Sequence, residues 1–185
     1  MKIAAVILIM CLLSGCSTGD DAFEQAMDLR KELLEADHCS FLAVITADYG
    51  NTLYTFQMQC TADNAGNLQF SVIDPETIAG ITGSISQEST GLTFDDKVLA
   101  FPILADGELT PISAPWIYIN TLRSGYLTGC STEEKGYTIY IDDSFEENPL
   151  HLVIHTDENM TPKDAEIIWQ ERRILSMDIR DFMIQ

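Results

Sequence analysis

The sequence is poor in positive charge. Ten Lys and Arg stand against 29 Asp and Glu in 185 residues, a formal net charge of −19. So acidic a chain repels nucleic acid phosphates and anionic lipid headgroups alike, so no nucleic acid partner is expected and a charge-driven partner would be basic. Apolar residues never run for the roughly 20 positions that a bilayer-spanning helix needs. Gly-rich phosphate loops, a Gly-x-Ser-x-Gly elbow and a plausible Cys–His nucleophile pair are all missing, as are internal repeats and low-complexity tracts. The expectation is a noncatalytic protein without a cofactor.

What the chain does have begins at its N-terminus. Lys2 supplies a short positive start, Ile3 to Leu13 form an apolar run, and Leu13-Ser14-Gly15-Cys16 closes it. The run resembles a bacterial lipoprotein export signal. In proteins of that kind the thiol corresponding to Cys16 receives a diacylglycerol, the chain is cut before it, and the new amine is often acylated with a fatty acid such as palmitate. The resemblance implies a signal peptide over residues 1–15, a lipidated tether over 16–21 and one domain over 22–185. Two or three acyl chains at one point make a stable anchor. The mature chain, about −20 once Lys2 is lost, would work outside the cytoplasm on a membrane, the outer face in a single-membrane cell. There its acidity keeps an exported protein soluble.

Cysteine usage fits an oxidising compartment. Cys11 leaves with the signal and Cys16 is consumed by lipid, leaving Cys39, Cys60 and Cys130. Phe41 to Ala47 and Thr52 to Gln59 alternate as strands do, around a turn at Asp48-Tyr49-Gly50-Asn51. With Tyr49 and Gly50 as the loop residues, Cys39 faces Cys60 at a non-hydrogen-bonded position, where a disulfide is geometrically allowed. The alternative is a pair of buried free thiols, since a register slip destroys the pairing. Cys130 reads as a small buried hydrophobe. The same register collects Cys39, Phe41, Ala43, Ile45, Tyr54, Phe56, Met58 and Cys60 on one face, built for burial, and leaves a mixed face for solvent.

Ahead of this hairpin, Ala22 to Ala36 reads as an amphipathic helix opened by an Asp21–Glu24 capping box, with Phe23, Ala26, Met27, Leu33 and Leu34 at helical spacing. Downstream, Asp63 to Asn67 reads as a turn, Leu68 to Val72 as a strand, and Glu76 to Ala79 as one helical turn opened by Asp74-Pro75 and stopped at Gly80. Strands are expected at Ile81 to Gln87, with Gly83 as a bulge, and at Leu92 to Phe94 and Val98 to Phe101. Pro102, Pro111 and Pro115 punctuate the loop-rich stretch that follows. Pro115 opens a helix over Trp116 to Ser124, closed by Gly125 and apolar on most sides. Strands follow at Tyr126 to Ser131, Tyr137 to Ile141 and Leu150 to Thr156, then a hairpin of Ala165 to Gln170 and Arg173 to Phe182. This order predicts an α+β fold of one domain: a curved antiparallel sheet forming an unclosed half-barrel, with the N-terminal helix and the inserted helix on its concave side.

That order, with the stretches Phe41 to Gly50, Asn67 to Ile81, Leu92 to Asp95 and the Pro-opened helix at Ser113 to Gly125, resembles the LolA/LolB superfamily, and within it the germination lipoprotein GerS and its relatives. The resemblance implies one of two noncatalytic roles. Carrier-type members hold a lipid or acyl ligand in the half-barrel cavity, whereas GerS-like members resemble adaptors that bind a cell-wall amidase in sporulation. The expected cavity lining is Phe41, Ile45, Tyr54, Phe56, Met58, Phe70, Trp116, Ile119 and Leu122, positions that serve equally well as core filling. Partners are therefore a membrane through the lipid, and either a lipid or an envelope protein.

Metal sites are not expected. His151 and His155 alternate with Leu150, Leu152 and Ile154, so in a strand they stand about 13 Å apart and face outward. His38 sits at the expected helix end, where a cation suits the dipole. Asp142-Asp143-Ser144-Phe145-Glu146-Glu147 gathers four carboxylates but lacks calcium-loop spacing.

Overall fold

The computed structural model describes residues 18–86, 90–91 and 109–185. The signal run, Cys16, and the strands expected at 92–94 and 98–101 lie outside the described residues. The chain opens with α1 (Thr18–Glu35), then forms β1 (His38–Asp48), β2 (Leu53–Asp63), β3 (Leu68–Asp74), β4 (Thr82–Ile85) and β5 (Thr90–Gly91). A 3₁₀ turn (Pro111–Ser113) leads into α2 (Ala114–Ser124), and β6 (Tyr126–Glu133), β7 (Gly136–Asp142), β8 (His151–Thr156), β9 (Pro162–Trp169) and β10 (Arg172–Ile184) complete it. All ten strands join one sheet in the order β5-β4-β3-β2-β1-β10-β9-β8-β7-β6. Every pairing is antiparallel, and among the described residues β5 and β6 remain as edges, so the sheet is not closed into a barrel.

The hairpin β1–β2 keeps the expected faces but not the expected register. Tyr49 N–H donates to Thr52 C=O, leaving Gly50 and Asn51 as the loop residues, one position later than expected. Gly50 has φ +89°, the conformation a two-residue hairpin loop demands of its first central residue. Its N–H also donates to Asp48 Oδ1 at 2.6 Å. The shift puts Cys39 opposite Ala62 and Cys60 opposite Phe41, so the two thiols are diagonal neighbours and both are free. The predicted disulfide is thus corrected. The slip is two residues for either strand, and side chains alternate with period two, so the buried set survived. Cys39, Phe41, Ala43, Ile45, Phe56, Met58 and Cys60 are all buried. Tyr54 is the exception at 43% exposure, beside the hairpin tip.

Other elements moved by small, explicable amounts. α1 begins at or before Thr18, so Asp21 lies within the helix rather than capping it, and residues 18–21 are helix rather than loose tether. Three residues past the end of α1, His38 opens β1, its backbone paired with Gln185. Around Pro75 the chain makes a single turn, Ala79 N–H donating to Pro75 C=O at 3.0 Å. Gly83 is not a bulge, since β3–β4 register runs evenly through it. The Phe70 ring lies across it, and a Cβ there would come within 2.6 Å of Phe70 Cζ. The last hairpin turns at Gln170–Glu171, both with positive φ (48° and 64°), one residue earlier than expected.

The core lies on the concave face. One transverse row, Phe56–Ile45–Met177–Ala165–Ile154–Ile139–Cys130, crosses from β2 to β6 through six direct pairings. All but Cys130 are buried; it sits half-buried on the edge strand. Each large apolar side chain so buried contributes about 1.5–3 kcal/mol. α1 packs Ala22, Ala26, Leu29 and Leu33 inward, and α2 contributes Tyr118, Ile119 and Leu122. No described helix is long and apolar enough to cross a membrane.

Candidate functional site

The concave interior is where this fold gathers chemistry. β1 supplies Phe41 and Ile45, β2 Phe56 and Met58, β3 Phe70, and α2 Ile119 and Leu122, all no more than 4% exposed and all in one cluster. Trp116 stands at the rim, half-buried, its Nε1–H donating to Gly66 C=O at 3.0 Å and so pinning α2 to the β2–β3 turn. Tyr54 is not brought into this set; it stacks edge-on against Tyr49 with centroids 5.5 Å apart.

Three residues outside the sequence-derived set complete the interior. Tyr118 is fully buried and meets Phe41 in a T-shaped contact, centroids 5.7 Å apart at 77°. Its hydroxyl has no hydrogen-bond partner among the described residues. Because α2 is apolar nearly all round, its sequence offers no single face on which Tyr118 stands out. Arg123 donates from Nη1 to Asp63 C=O at 2.5 Å and from Nη2 to Leu33 C=O at 3.5 Å, while Arg30 Nε donates to Leu122 C=O at 2.7 Å. Each helix thus lends an arginine to the C-terminal carbonyls of the other, where a cation meets the negative end of the helix dipole. Arg123 Nε and one Arg30 Nη remain unpaired in the interior. The sequence signal was present, a basic residue in the last turn of α2, but its acceptor lies 90 residues away.

Electrostatics follow burial. Desolvation, and then Cys39 nearby, push the Tyr118 phenol well above its ordinary value, and the same two causes in that order push the Cys60 thiol up. Burial also raises Cys39, opposed by the Arg123 charge and a hydrogen bond from the backbone at Ala62. Burial raises Cys130 too, and lowers Arg30. These thiols are protonated and inert at neutral pH. A surface cleft of about 190 Å³ beside α1 is lined by Leu29, Met160, Pro162, Phe182 and Ile184 together with the polar Glu32, Asn159 and Thr161, and Leu29 and Met160 belong also to the core.

The other sequence candidates stay apart. His151 Nδ1 lies 2.7 Å from Asp142 Oδ1, and His155 Nδ1 lies 2.9 Å from Thr138 Oγ1, both on the outer face as expected from the alternation. In the acidic loop Asp143 accepts the Leu150 N–H at 2.8 Å. Among the described residues no cluster of three His, Cys, Asp or Glu side chains could hold a metal ion.

No family model matches the chain, and no curated protein resembles it. Solved structures of similar outline exist. The LolA superfamily protein NE2245 from Nitrosomonas europaea shares 9% identity over 92% of this chain and 94% of that one, with a TM-score of 0.44. An uncharacterized conserved protein from Thermus thermophilus shares 10% over 88% and 86%, also at 0.44. MucB, in the MucA/MucB complex of Pseudomonas aeruginosa, shares 17% over 86% of this chain and 56% of that one, at 0.40. At such values the likeness is one of outline alone.

Proposed function

We propose that the chain is a noncatalytic, extracytoplasmic lipoprotein, anchored through acyl groups on Cys16, that holds a hydrophobic ligand such as an acyl chain against the concave face of its sheet. The observation that carries this reading is an apolar inner face many strands wide, covered among the described residues by two helices, in a sheet that does not close. Phe41, Ile45, Phe56, Met58, Phe70, Ile119 and Leu122 line it, with Trp116 at its rim. Phe and Met side chains suit flexible alkyl chains. The unpaired Tyr118 hydroxyl and Arg123 Nε offer donors to a carboxyl end inside an otherwise apolar space. The ligand takes the place of side chains that α2 now presents, and the cleft at Leu29 and Met160 gives access. Organic extraction of the purified protein followed by mass spectrometry tests this: lipid beyond the anchor, and saturable uptake of a long-chain fatty acid, are expected. A clean extract together with no uptake sinks the reading.

A second reading rests on β6. This edge strand of eight residues has no strand partner on its outer side among the described residues, and α1 packs against it, so a partner strand adds there only where α1 leaves the edge free. It suits a GerS-like adaptor for a cell-wall amidase, and direct binding of a purified amidase to ligand-free protein would support it.

A further inference from the structure

α1 carries two apolar stripes, and the fold uses one. Ala22, Ala26, Leu29 and Leu33 are buried, while Phe23, Met27 and Leu34 are 42%, 42% and 55% exposed. At 100° per residue these three fall within about 40° of each other, on a stripe about 17 Å long. Lys31 lies beside that stripe, followed around the helix by Glu24 and Glu35, and Asp21, Asp28 and Glu32 lie on the opposite side, while Arg30 on the other flank turns its guanidinium to Leu122 C=O. Single exposed apolar residues need no explanation, but an aligned set marks a contact.

The chain ahead of the helix says what the contact is. Thr18, the first described residue of α1, stands two residues after Cys16 in the sequence, and the apolar run Ile3–Leu13 precedes that. We propose that the Phe23–Met27–Leu34 face of α1 lies on the bilayer surface to which Cys16 is anchored, an inference that rests on the lipid-anchor reading above. Two linking residues reach about 7 Å and five residues of helix add about 8 Å, so Phe23 is held within about 15 Å of the acylated sulfur. Such tethering raises the effective concentration, so a small apolar stripe that would bind marginally by itself stays seated. Lys31 can lay its stem along the interface and keep its ammonium in water. A second copy of the chain is a poor occupant, because three side chains fall well short of the roughly 800 Å² per partner of a stable interface.

The test uses the lipidated full chain, purified from membranes and reconstituted in phosphatidylcholine vesicles that carry a photoactivatable phospholipid. Intact mass reports acylation, and peptide mapping locates lipid adducts. Adducts on Phe23, Met27 and Leu34 should exceed those on Leu53 by about tenfold. Leu53 is 65% exposed but sits at the hairpin tip, about 33 Å along β1 from the end of α1. The triple variant Phe23→Ser, Met27→Ser, Leu34→Ser, altered only at exposed positions, should still float with vesicles while losing those adducts. Acylated, floating protein with no excess of adducts on α1 overturns this inference alone. Absence of acyl mass on Cys16 overturns both it and the anchor reading.

Discussion

Replacing Tyr118 by Phe should stabilise the protein. The ring is fully buried against Phe41, a contact that Phe retains, whereas the hydroxyl lies inside the apolar interior without a partner among the described residues. A buried polar group left unpaired costs about 1–3 kcal/mol. Removing it while keeping the ring should return much of that, and a gain of about 2 kcal/mol raises Tm by about 4–8 °C in a domain of this size. Burial, with Cys39 adding to it, holds the phenol neutral at every ordinary pH, so the gain should be the same at neutral and mildly alkaline pH. The assay is urea and thermal unfolding of the chain lacking its signal, with the urea m-value unchanged. Tyr118→Ala sets the opposite bound, losing about 3–5 kcal/mol through the cavity it leaves. Destabilisation of Tyr118→Phe by about 1 kcal/mol or more, the usual loss of one net hydrogen bond, would refute the reasoning, because the hydroxyl would then have a partner in solution. On the ligand-holding proposal the same variant should bind a long-chain fatty acid about tenfold more weakly, a change of ~1.4 kcal/mol.

Gly83→Ala should cost about 1–3 kcal/mol, since its Cβ would meet Phe70 Cζ at 2.6 Å and the buried ring must shift; denaturant unfolding checks it. Asp164→Asn should stabilise the protein slightly at neutral pH. Asp164 pairs directly across the sheet with Asp178, and burial first, then Glu166 and Asp178, raise its carboxyl against the opposing pull of His155. A raised folded pKa means stability present below the unfolded value and lost as pH rises through the folded one, so the advantage of Asn should fade in acid, as paired pH–Tm curves would record. Asp48, Asp63 and Asp157 are shifted the other way. A hydrogen bond from the Gly50 backbone lowers the first, while for the other two desolvation is outweighed by hydrogen bonds, led by those from Asn67 and Lys163 respectively. Their contribution is complete above the ordinary carboxylate value and lost as pH falls below it, so acid unfolding should begin below about pH 4. Native protein should leave Cys39 and Cys60 unmodified by iodoacetamide at neutral pH and yield both on unfolding; rapid native labelling would contradict their burial.

Much of this architecture was legible in the residues. Alternation assigned the buried faces of β1 and β2, Pro115 and Gly125 bracketed α2, and Leu152 and Ile154 turned His151 and His155 outward, because each depends only on neighbours within one element. Register was not legible. Whether Gly50 takes the first or second place in the hairpin loop is a choice between closely similar turns, and it decided that Cys39 and Cys60 sit diagonally instead of face to face. Nor could the start of α1 be read, since Asp21 and Glu24 make an acceptable cap that the extended helix simply absorbs.

Sequence by itself determined the acidic exterior, the order of most described elements and the side of each strand that is apolar. Tertiary structure alone decided that Arg30 and Arg123 exchange places at the ends of each other's helices, that Tyr118 carries its hydroxyl into the apolar centre, and that Phe23, Met27 and Leu34 face outward. The reason is common to all three. A helix that carries apolar residues on more than one face, as α1 and α2 both do, does not say which face will be covered, and a carbonyl 90 residues distant becomes a partner only when the sheet curves enough to bring two helix ends together.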